Sequence, residues 1–208
     1  MKKVLFAAAA ALGAIWAGSA SADEVFVGVY AHNVTFVGDN IGIGAVKRED
    51  GEDFDIGYRT NPINALWFLG KPEVHAFVAI NSRRTGGEAK EGSDFAAAGF
   101  DWPITLFHTP FYIRPGIGLA YTDGEFNLPA SNAPGLTAVQ TQQRLILHFS
   151  RLDFGDPWQF EPEFALGYRI SHHWSTEFSY THISNGQIFH HGKNEGLDDA
   201  GLRLNYKF

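Results

Sequence analysis

The chain has 208 residues and a formal net charge of −7, from 16 basic and 23 acidic side chains. It contains no cysteine, which excludes disulfide bonds, a thiolate nucleophile and a thiolate metal site. The acidic balance argues against nucleic acid as a partner, because binding to phosphates depends on basic patches.

Residues 1–22 have the organisation of a secretory signal peptide. Two lysines precede an apolar stretch from Val4 to Ala17, and a small-x-small sequence, Ala-Ser-Ala, ends at Ala22. We expect cleavage after Ala22, which leaves residues 23–208 as one exported domain.

Apolar and polar residues alternate with a period of two through most of this domain, which predicts β-strands. Eight strands are predicted, near 24–32, 52–60, 72–82, 93–102, 111–122, 158–170 and 174–184 and in the final segment that ends at Phe208. The segments 33–51, 83–92, 123–157 and 185–197 are predicted to be loops at the outer end of the fold. Within them, residues 142–152 fit either a short amphipathic helix or a strand extension.

Charged side chains share the face of the strands opposite to the apolar face: Arg114, Glu161, Glu163, Arg169, Glu177, Arg203 and Lys207. A transmembrane barrel directs apolar side chains to lipid and polar ones to the lumen, and a soluble barrel does the reverse. Strand lengths of 9–13 residues, Trp158 and Trp174 at strand ends, and the terminal Phe208 favour the membrane. The prediction is an all-β fold: an eight-stranded, antiparallel, up-and-down transmembrane barrel, apolar outside, with a lumen plugged by polar side chains.

A histidine and a serine lie on the predicted lipid-facing side of one strand. Even positions in 174–185 carry Trp174, Phe178 and Tyr180, followed by His182 and Ser184. Side chains alternate between the faces of a strand, so all five share one face. A serine needs a base within hydrogen-bond reach to act as a nucleophile, and an imidazole with a pKa near neutrality is such a base.

The segment His182-Ile183-Ser184-Asn185-Gly186, followed by Asn194-Glu195-Gly196-Leu197-Asp198, resembles the lipid A 3-O-deacylase family of outer-membrane barrels. The resemblance is sharp over 182–208 and is otherwise carried by Pro110-Phe111 and Gly116-Ile117-Gly118. It implies an esterase that removes the 3-O-linked 3-hydroxyacyl chain from the lipid A of lipopolysaccharide. It also implies the bacterial outer membrane as the location, with the site at the outer leaflet, and no cofactor.

Three acids compete to orient His182: Glu195, Asp198 and Asp199. Extending the alternation of the last strand puts Asp198 on its lipid-facing side, next to His182, and Asp199 in the lumen. The resemblance also selects Asp198, although the family often has glutamate there. Glu195 and Asp199 remain alternatives from the sequence.

Four further residues are candidates for an oxyanion site or for positioning the loop. The backbone amides around Gly186 and Gln187 come directly after Ser184, where donors to an oxyanion are needed. Asn185 and Asn194 match family positions, and turn formation is an equally good explanation for both. The family usually has a small residue and then glycine where this chain has Gly186-Gln187.

Two histidine pairs, His172-His173 and His190-His191, invite a zinc interpretation. The topology puts them at opposite ends of the barrel, so they cannot share a site, and no metal is expected. The alternatives to an esterase are a structural or host-contact barrel, a soluble exported barrel that carries a ligand, and an acyltransferase. The sequence leaves a homodimer open.

Overall fold

The computed structural model describes residues 23–41, 47–85, 92–188 and 192–208. The predicted signal peptide and the pair His190-His191 lie outside these residues. Among the described residues, no helix is long and apolar enough to cross a membrane.

Nine strands are present in the described part of the chain. Their bounds are β1 Glu24–Ala31, β2 Glu52–Arg59, β3 Glu73–Asn81, β4 Phe95–Asp101, β5 Ile104–Thr105, β6 Phe111–Thr122, β7 Trp158–Arg169, β8 Trp174–Ile183 and β9 Leu197–Lys207. The order in the sheet is β4-β3-β2-β1-β9-β8-β7-β6-β5, and β4 also pairs with β6, which closes the sheet. β5 is a two-residue strand on the edge of β6. The predicted eight-stranded antiparallel barrel is therefore confirmed, with β5 as an addition that the sequence did not predict.

The wall strands have seven to twelve residues, against the 9–13 predicted. The difference arises because side chains keep alternating beyond the last hydrogen bond of a ladder. The connections β1–β2, β3–β4, β6–β7 and β8–β9 all lie at one end of the barrel, here called the loop end. The opposite, terminal end holds the start of β1 and the end of β9.

Apolar side chains cover the outside of the barrel, as predicted. Val27 and Val29 of β1 are each 52% exposed, and Leu202 of β9 is 64% exposed, while the intervening Arg203 is buried. Such an exterior would be unfavourable in water, and its natural medium is lipid.

Buried ion pairs fill the lumen, as the charged faces of the strands predicted. Arg203 Nη2 lies 2.9 Å from Glu163 Oε2, Arg59 Nε lies 2.9 Å from Asp101 Oδ2, and Arg114 forms an ion pair with Asp101. Paired charges avoid the cost of leaving an isolated charge buried. The lumen is thus a plug of side chains.

An apolar cluster inside the barrel accompanies this plug. It contains Phe26, Phe77, Ala79, Phe95, Ala97, Ala120, Leu152, Phe154, Ile183 and Leu197. Leu152 and Phe154 come from the β6–β7 loop, so this loop folds back into the barrel mouth. Ile183 and Leu197 face it from β8 and β9, which anchors the ends of both strands from inside.

The described parts of the loop-end connections contain two helices: α1, Phe36–Ile41, and α2, Ala138–Ser150. Two 3-10 segments, Asn64–Leu69 and Ser82–Thr85, are also present. α2 settles the open question about residues 142–152, most of which are helical. A capping box starts the helix, because Thr137 Oγ1 accepts from Gln140 N at 3.2 Å and Gln140 Oε1 accepts from Thr137 N at 3.0 Å.

Candidate functional site

His182 and Asp198 face each other across the β8–β9 ladder. The two residues are direct partners in the register, and His182 Nδ1 is hydrogen-bonded to Asp198 Oδ1. The Asp198 side chain is fully buried, whereas 23% of the His182 side chain is exposed. Because Nδ1 faces the carboxylate, Nε2 is the ring nitrogen that can exchange a proton with another group.

Ser184 lies just beyond β8 and still pairs with β7. Its N–H donates to Phe160 O at 3.1 Å, and Phe160 N–H donates to Ser184 O at 2.7 Å. This pairing continues the strand geometry past Ile183, so Ser184 shares the face of His182, about 7 Å along the strand. The structure thus places His182, Ser184 and Asp198 on one side of the wall, with His182 in contact with Asp198.

Gly196 makes room for the imidazole ring. A Cβ at this position would lie 2.7 Å from His182 Cε1 and 3.2 Å from Ile183 O. The first distance is shorter than any normal carbon–carbon contact, so a side chain here would displace the ring. Glycine at position 196 is therefore explained by the space that the imidazole ring needs, which the motif alone did not reveal.

Asn185 is fully buried, and its polar groups are all used within the fold. Its Nδ2 donates to Phe154 O at 2.7 Å and to Lys193 O at 2.9 Å, and its Oδ1 accepts from Gln187 N at 2.6 Å. Its own N–H donates to Asn194 Oδ1 at 2.9 Å. Asn185 and Asn194 thus fasten the loop after Ser184 to its surroundings.

A tight turn follows at residues 185–188. Ile188 N donates to Asn185 O at 3.1 Å, and Gly186 and Gln187 have φ values of +59° and +57°. Two consecutive positive φ values define a type I′ turn, which favours glycine at both central positions. Gln187 is sterically strained in this conformation because it has a side chain, and its N–H donates to Asn185 Oδ1. The Gly186 N–H has no hydrogen-bond partner among the described residues and is the remaining backbone donor next to Ser184.

Glu195, one of the three candidate acids, has other partners. It pairs with Arg48 at 2.8 Å, accepts from Asp153 N at 2.8 Å, and donates its own N–H to Asp153 O at 3.0 Å. The ion pair ties the β8–β9 loop to the β1–β2 loop, and the two hydrogen bonds tie it to the β6–β7 loop. Glu195 thus stabilises the loops next to the site and is not part of the His182–Asp198 pair.

Asp199, the third candidate, faces the lumen and joins a second histidine cluster. His32 Nδ1 lies 2.8 Å from Asp53 Oδ2 and 3.6 Å from Asp199 Oδ1, and His32 Nε2 lies 3.1 Å from Glu49 Oε2. Burial by itself lowers the pKa of His32, but the carboxylates of Asp53 and Asp199 outweigh it and hold that pKa well above its usual range. This cluster was not found from the sequence, since its members are far apart along the chain.

The described residues include two buried groups of ligand type, His32-Asp53-Asp199 and His75-Asp101-Glu163. In each, the imidazole already forms an ion pair with a carboxylate. His172 and His173 lie at the terminal end, the opposite end of the barrel from Ser184, and His173 Nδ1 donates to Lys207 O at 2.9 Å.

Tyr180 completes the outer face of the site. It precedes His182 by two residues on the same side of β8, and its hydroxyl hydrogen-bonds the Asp198 carboxyl group. The ring of Phe36 from α1 packs edge-on against Tyr180, with centroids 5.6 Å apart. Sequence reasoning placed Tyr180 on this face but did not connect it with Asp198.

Comparison with known proteins gives one family match. The family model of lipid A 3-O-deacylase (PagL) matches residues 53–207. No curated protein matches the chain.

Several solved structures are similar. The outer membrane enzyme PagL has 14% identity and a TM-score of 0.49, covering 88% of this chain and 97% of its own. The N-terminal β-barrel domain of Pseudomonas aeruginosa OprF has 9% identity and a TM-score of 0.46, with 89% and 97% covered. Neisserial surface protein A has 10% identity and a TM-score of 0.45, with 89% and 97% covered.

Proposed function

The chain belongs to the lipid A 3-O-deacylase family of the bacterial outer membrane, and from that premise we propose that it hydrolyses the 3-O-linked 3-hydroxyacyl ester of lipid A. We assign Ser184 as the nucleophile, His182 as the general base and acid, and Asp198 as the residue that orients His182. The observation that carries this proposal is the His182–Asp198 hydrogen bond on the face that also holds Ser184.

The reaction begins with attack of Ser184 Oγ on the ester carbonyl carbon, while His182 Nε2 takes the hydroxyl proton. Asp198 stabilises the imidazolium that forms and keeps the ring in the required orientation. The tetrahedral intermediate collapses with cleavage of the bond between the acyl carbon and the 3-oxygen. His182 returns its proton to that oxygen, and the deacylated lipid leaves.

Water then resolves the acyl-enzyme. His182 takes a proton from the water as it attacks the acyl carbon, and it protonates Ser184 when the carbon–Oγ bond breaks. The released product is a 3-hydroxy fatty acid. No step requires a cofactor.

We assign stabilisation of the developing oxyanion to the Gly186 N–H. It follows Ser184 by two residues and has no partner among the described residues, whereas the Gln187 amide is bound to Asn185. Preorganised donors at such a position supply a large share of the rate enhancement in acyl transfer. Asn185 and Asn194 stabilise the turn that orients this N–H group.

The proposed orientation places the loop end outside the cell. In outer-membrane barrels the long loops are extracellular and the short turns are periplasmic. The site would then meet the outer leaflet from the lipid-facing side of β8 and β9. A substrate could be cleaved there without leaving the leaflet.

The test is mass spectrometry of lipid A from cells that express the wild type or Ser184→Ala in equal outer-membrane amounts. We expect the wild type alone to remove one 3-hydroxyacyl group. Ser131→Ala, in the β6–β7 loop, is the matched control and should behave as the wild type. If the folded wild type leaves lipid A unchanged both in cells and in detergent, the esterase proposal is refuted. A structural or host-contact barrel then remains as the explanation. Transfer of the acyl chain to another lipid would indicate the acyltransferase.

A further inference from the structure

Helix α2 turns its polar side toward the protein and its apolar side away from it. Arg144 Nη1 donates to Ala130 O at 2.8 Å, and His148 Nε2 donates to Pro129 O at 3.0 Å. On the other side, Val139, Ile146 and Phe149 are 65%, 53% and 72% exposed. This is the reverse of a helix that packs its apolar face onto a protein core.

The apolar residues form a stripe along one side of the helix, which the exposed Gln142 interrupts between Val139 and Ile146. Val139, Ile146 and Phe149 are spaced by seven and three residues, which places them on the same helical face. Leu145, also exposed, extends the stripe on one side. The capping box at Thr137 and Gln140 fixes the residue at which the helix starts.

The chain after α2 attaches the helix to the candidate site. Arg151, Leu152, Asp153 and Phe154 are buried. Asp153 exchanges two hydrogen bonds with Glu195, and Phe154 O accepts from Asn185. These contacts hold the C-terminal end of α2 at the rim of the barrel, beside the loop that carries the turn after Ser184.

Seven residues separate the end of α2 from the start of β7 in the barrel wall. Trp158 starts β7 and is 51% exposed on the lipid-facing side, where its ring contacts Tyr121 at a centroid distance of 5.2 Å. Seven residues span at most about 25 Å, which limits how far the end of the helix can lie from the loop-end edge of this apolar wall. Aromatic residues at such an edge are typical of the membrane–water interface.

We propose that α2 is an interfacial helix whose apolar stripe lies in the lipid leaflet that the site faces. The stripe would contact the acyl-chain boundary of that leaflet, because α2 is attached at the rim of a lipid-facing wall and its polar side is already bound to protein. The proposal rests on the proposed function for the orientation of the site. Helices of this type lie in the plane of the membrane with the apolar face embedded. Through Asp153 and Phe154, the depth of α2 in lipid would set the position of the site loop.

The absence of native cysteine allows a direct test with single-cysteine variants carrying a nitroxide label. The protein is reconstituted in vesicles of phosphatidylethanolamine, phosphatidylglycerol and lipid A, and collision of each label with oxygen and with a water-soluble nickel chelate is measured. Val139→Cys, Ile146→Cys and Phe149→Cys report the stripe. Thr141→Cys is the control on the polar side of α2, Leu202→Cys the lipid control, and Lys193→Cys the water control.

We expect the three stripe labels to match Leu202→Cys and the Thr141→Cys label to differ from them. Stripe labels as accessible to nickel as Lys193→Cys would refute the proposal. Dipolar broadening between labels on two molecules would also refute it, because a second copy of the chain would then cover the stripe.

A second measurement connects the stripe to catalysis. The double variant Ile146→Asp, Phe149→Asp should hydrolyse lipid A in vesicles roughly tenfold or more slowly, since losing apolar burial by two side chains exceeds the energy of one tenfold step. It should match the wild type on lipid A in detergent micelles, and Thr141→Asp should match it on both substrates. An equal loss in vesicles and micelles would overturn the role of lipid contact. The label measurement does not depend on hydrolysis, so lipid contact without hydrolysis would refute the esterase and keep the interfacial helix.

Discussion

Two histidine–carboxylate groups lie on opposite sides of β9, and adjacent residues of that strand supply one acid to each. Asp198 faces His182 on the outside of the wall, and Asp199 faces His32 in the lumen. His182 is partly exposed and has one ring nitrogen directed away from its carboxylate. His32 is fully buried, and acids lie against both of its ring nitrogens.

The comparison shows that the same pair of residue types can serve chemistry or stability. A catalytic base must exchange its proton, so it needs an open nitrogen and access to substrate. A structural imidazolium must keep its proton, so it is surrounded by carboxylates that satisfy it. Asp198 and Asp199 are adjacent in β9, so their side chains lie on opposite sides of the wall. This decides that Asp198 contacts His182 and Asp199 contacts His32.

The strongest test of this contrast compares Asp198→Asn with Asp199→Asn. We expect Asp198→Asn to lower kcat about 10⁴-fold, because an amide cannot hold the imidazole in the required tautomer. Asp199→Asn should leave kcat of the folded protein unchanged and lower its thermal stability. Steady-state kinetics and thermal unfolding on both variants provide the measurement. A comparable loss of kcat in both would contradict the division of roles.

Gly196→Ala tests the outer pair without changing a titratable group. The added methyl would collide with His182 Cε1 and turn the ring away from Asp198 and Ser184. We expect kcat to fall roughly 100-fold, the typical cost of a small misplacement of a catalytic group. Circular dichroism should show an intact barrel. Wild-type kcat in Gly196→Ala would mean that the ring is not held where the structure has it.

Tyr180→Phe is expected to lower kcat about tenfold, because the Asp198 carboxylate loses one hydrogen bond, and a bond to a charged group contributes about 1.5 kcal/mol or more. The same substitution in an Asp198→Asn background should have little further effect, since both changes act on one interaction. Tyr206→Phe, at the terminal end of the barrel, is the matched control. Additive effects in the double variant would show that Tyr180 acts independently of Asp198.

His32→Gln tests the inner cluster and should have the smallest effect on catalysis. The pKa of His32 is raised in the folded protein, so the stability that it contributes is complete below its unfolded pKa of about 6.5 and is lost as the pH rises toward the folded value. The difference in melting temperature between wild type and His32→Gln should therefore be larger at pH 6 than at pH 9. A difference that grows with pH would contradict the assignment of a charged His32.

The sequence predicted those parts of the fold that depend on local alternation. Eight wall strands followed from the period of two, and the parity of the last strand correctly separated Asp198 from Asp199. The start of α2 was also readable, because Thr137 and Gln140 have the spacing of a capping box. Periodicity alone leaves residues 142–152 ambiguous between helix and strand.

The candidate site was predicted only in part. His182 and Ser184 are two residues apart, so strand geometry alone puts them on one face. The bonds of Asn185 to Phe154, and of Glu195 to Asp153, depend on how the β6–β7 loop folds back into the barrel mouth. No periodicity encodes such a return, because it is decided by the burial of Leu152 and Phe154 in a core assembled from many strands.

By itself, the sequence determined the strand class, the side of each side chain and the order of the motif, since these follow from backbone geometry over neighbouring residues. Only the tertiary structure decided which distant groups meet. His32, Glu49, Asp53 and Asp199 converge because closure of the sheet brings β1, β2 and β9 side by side. Such contacts depend on register and on burial, which are properties of the closed barrel and not of any one segment.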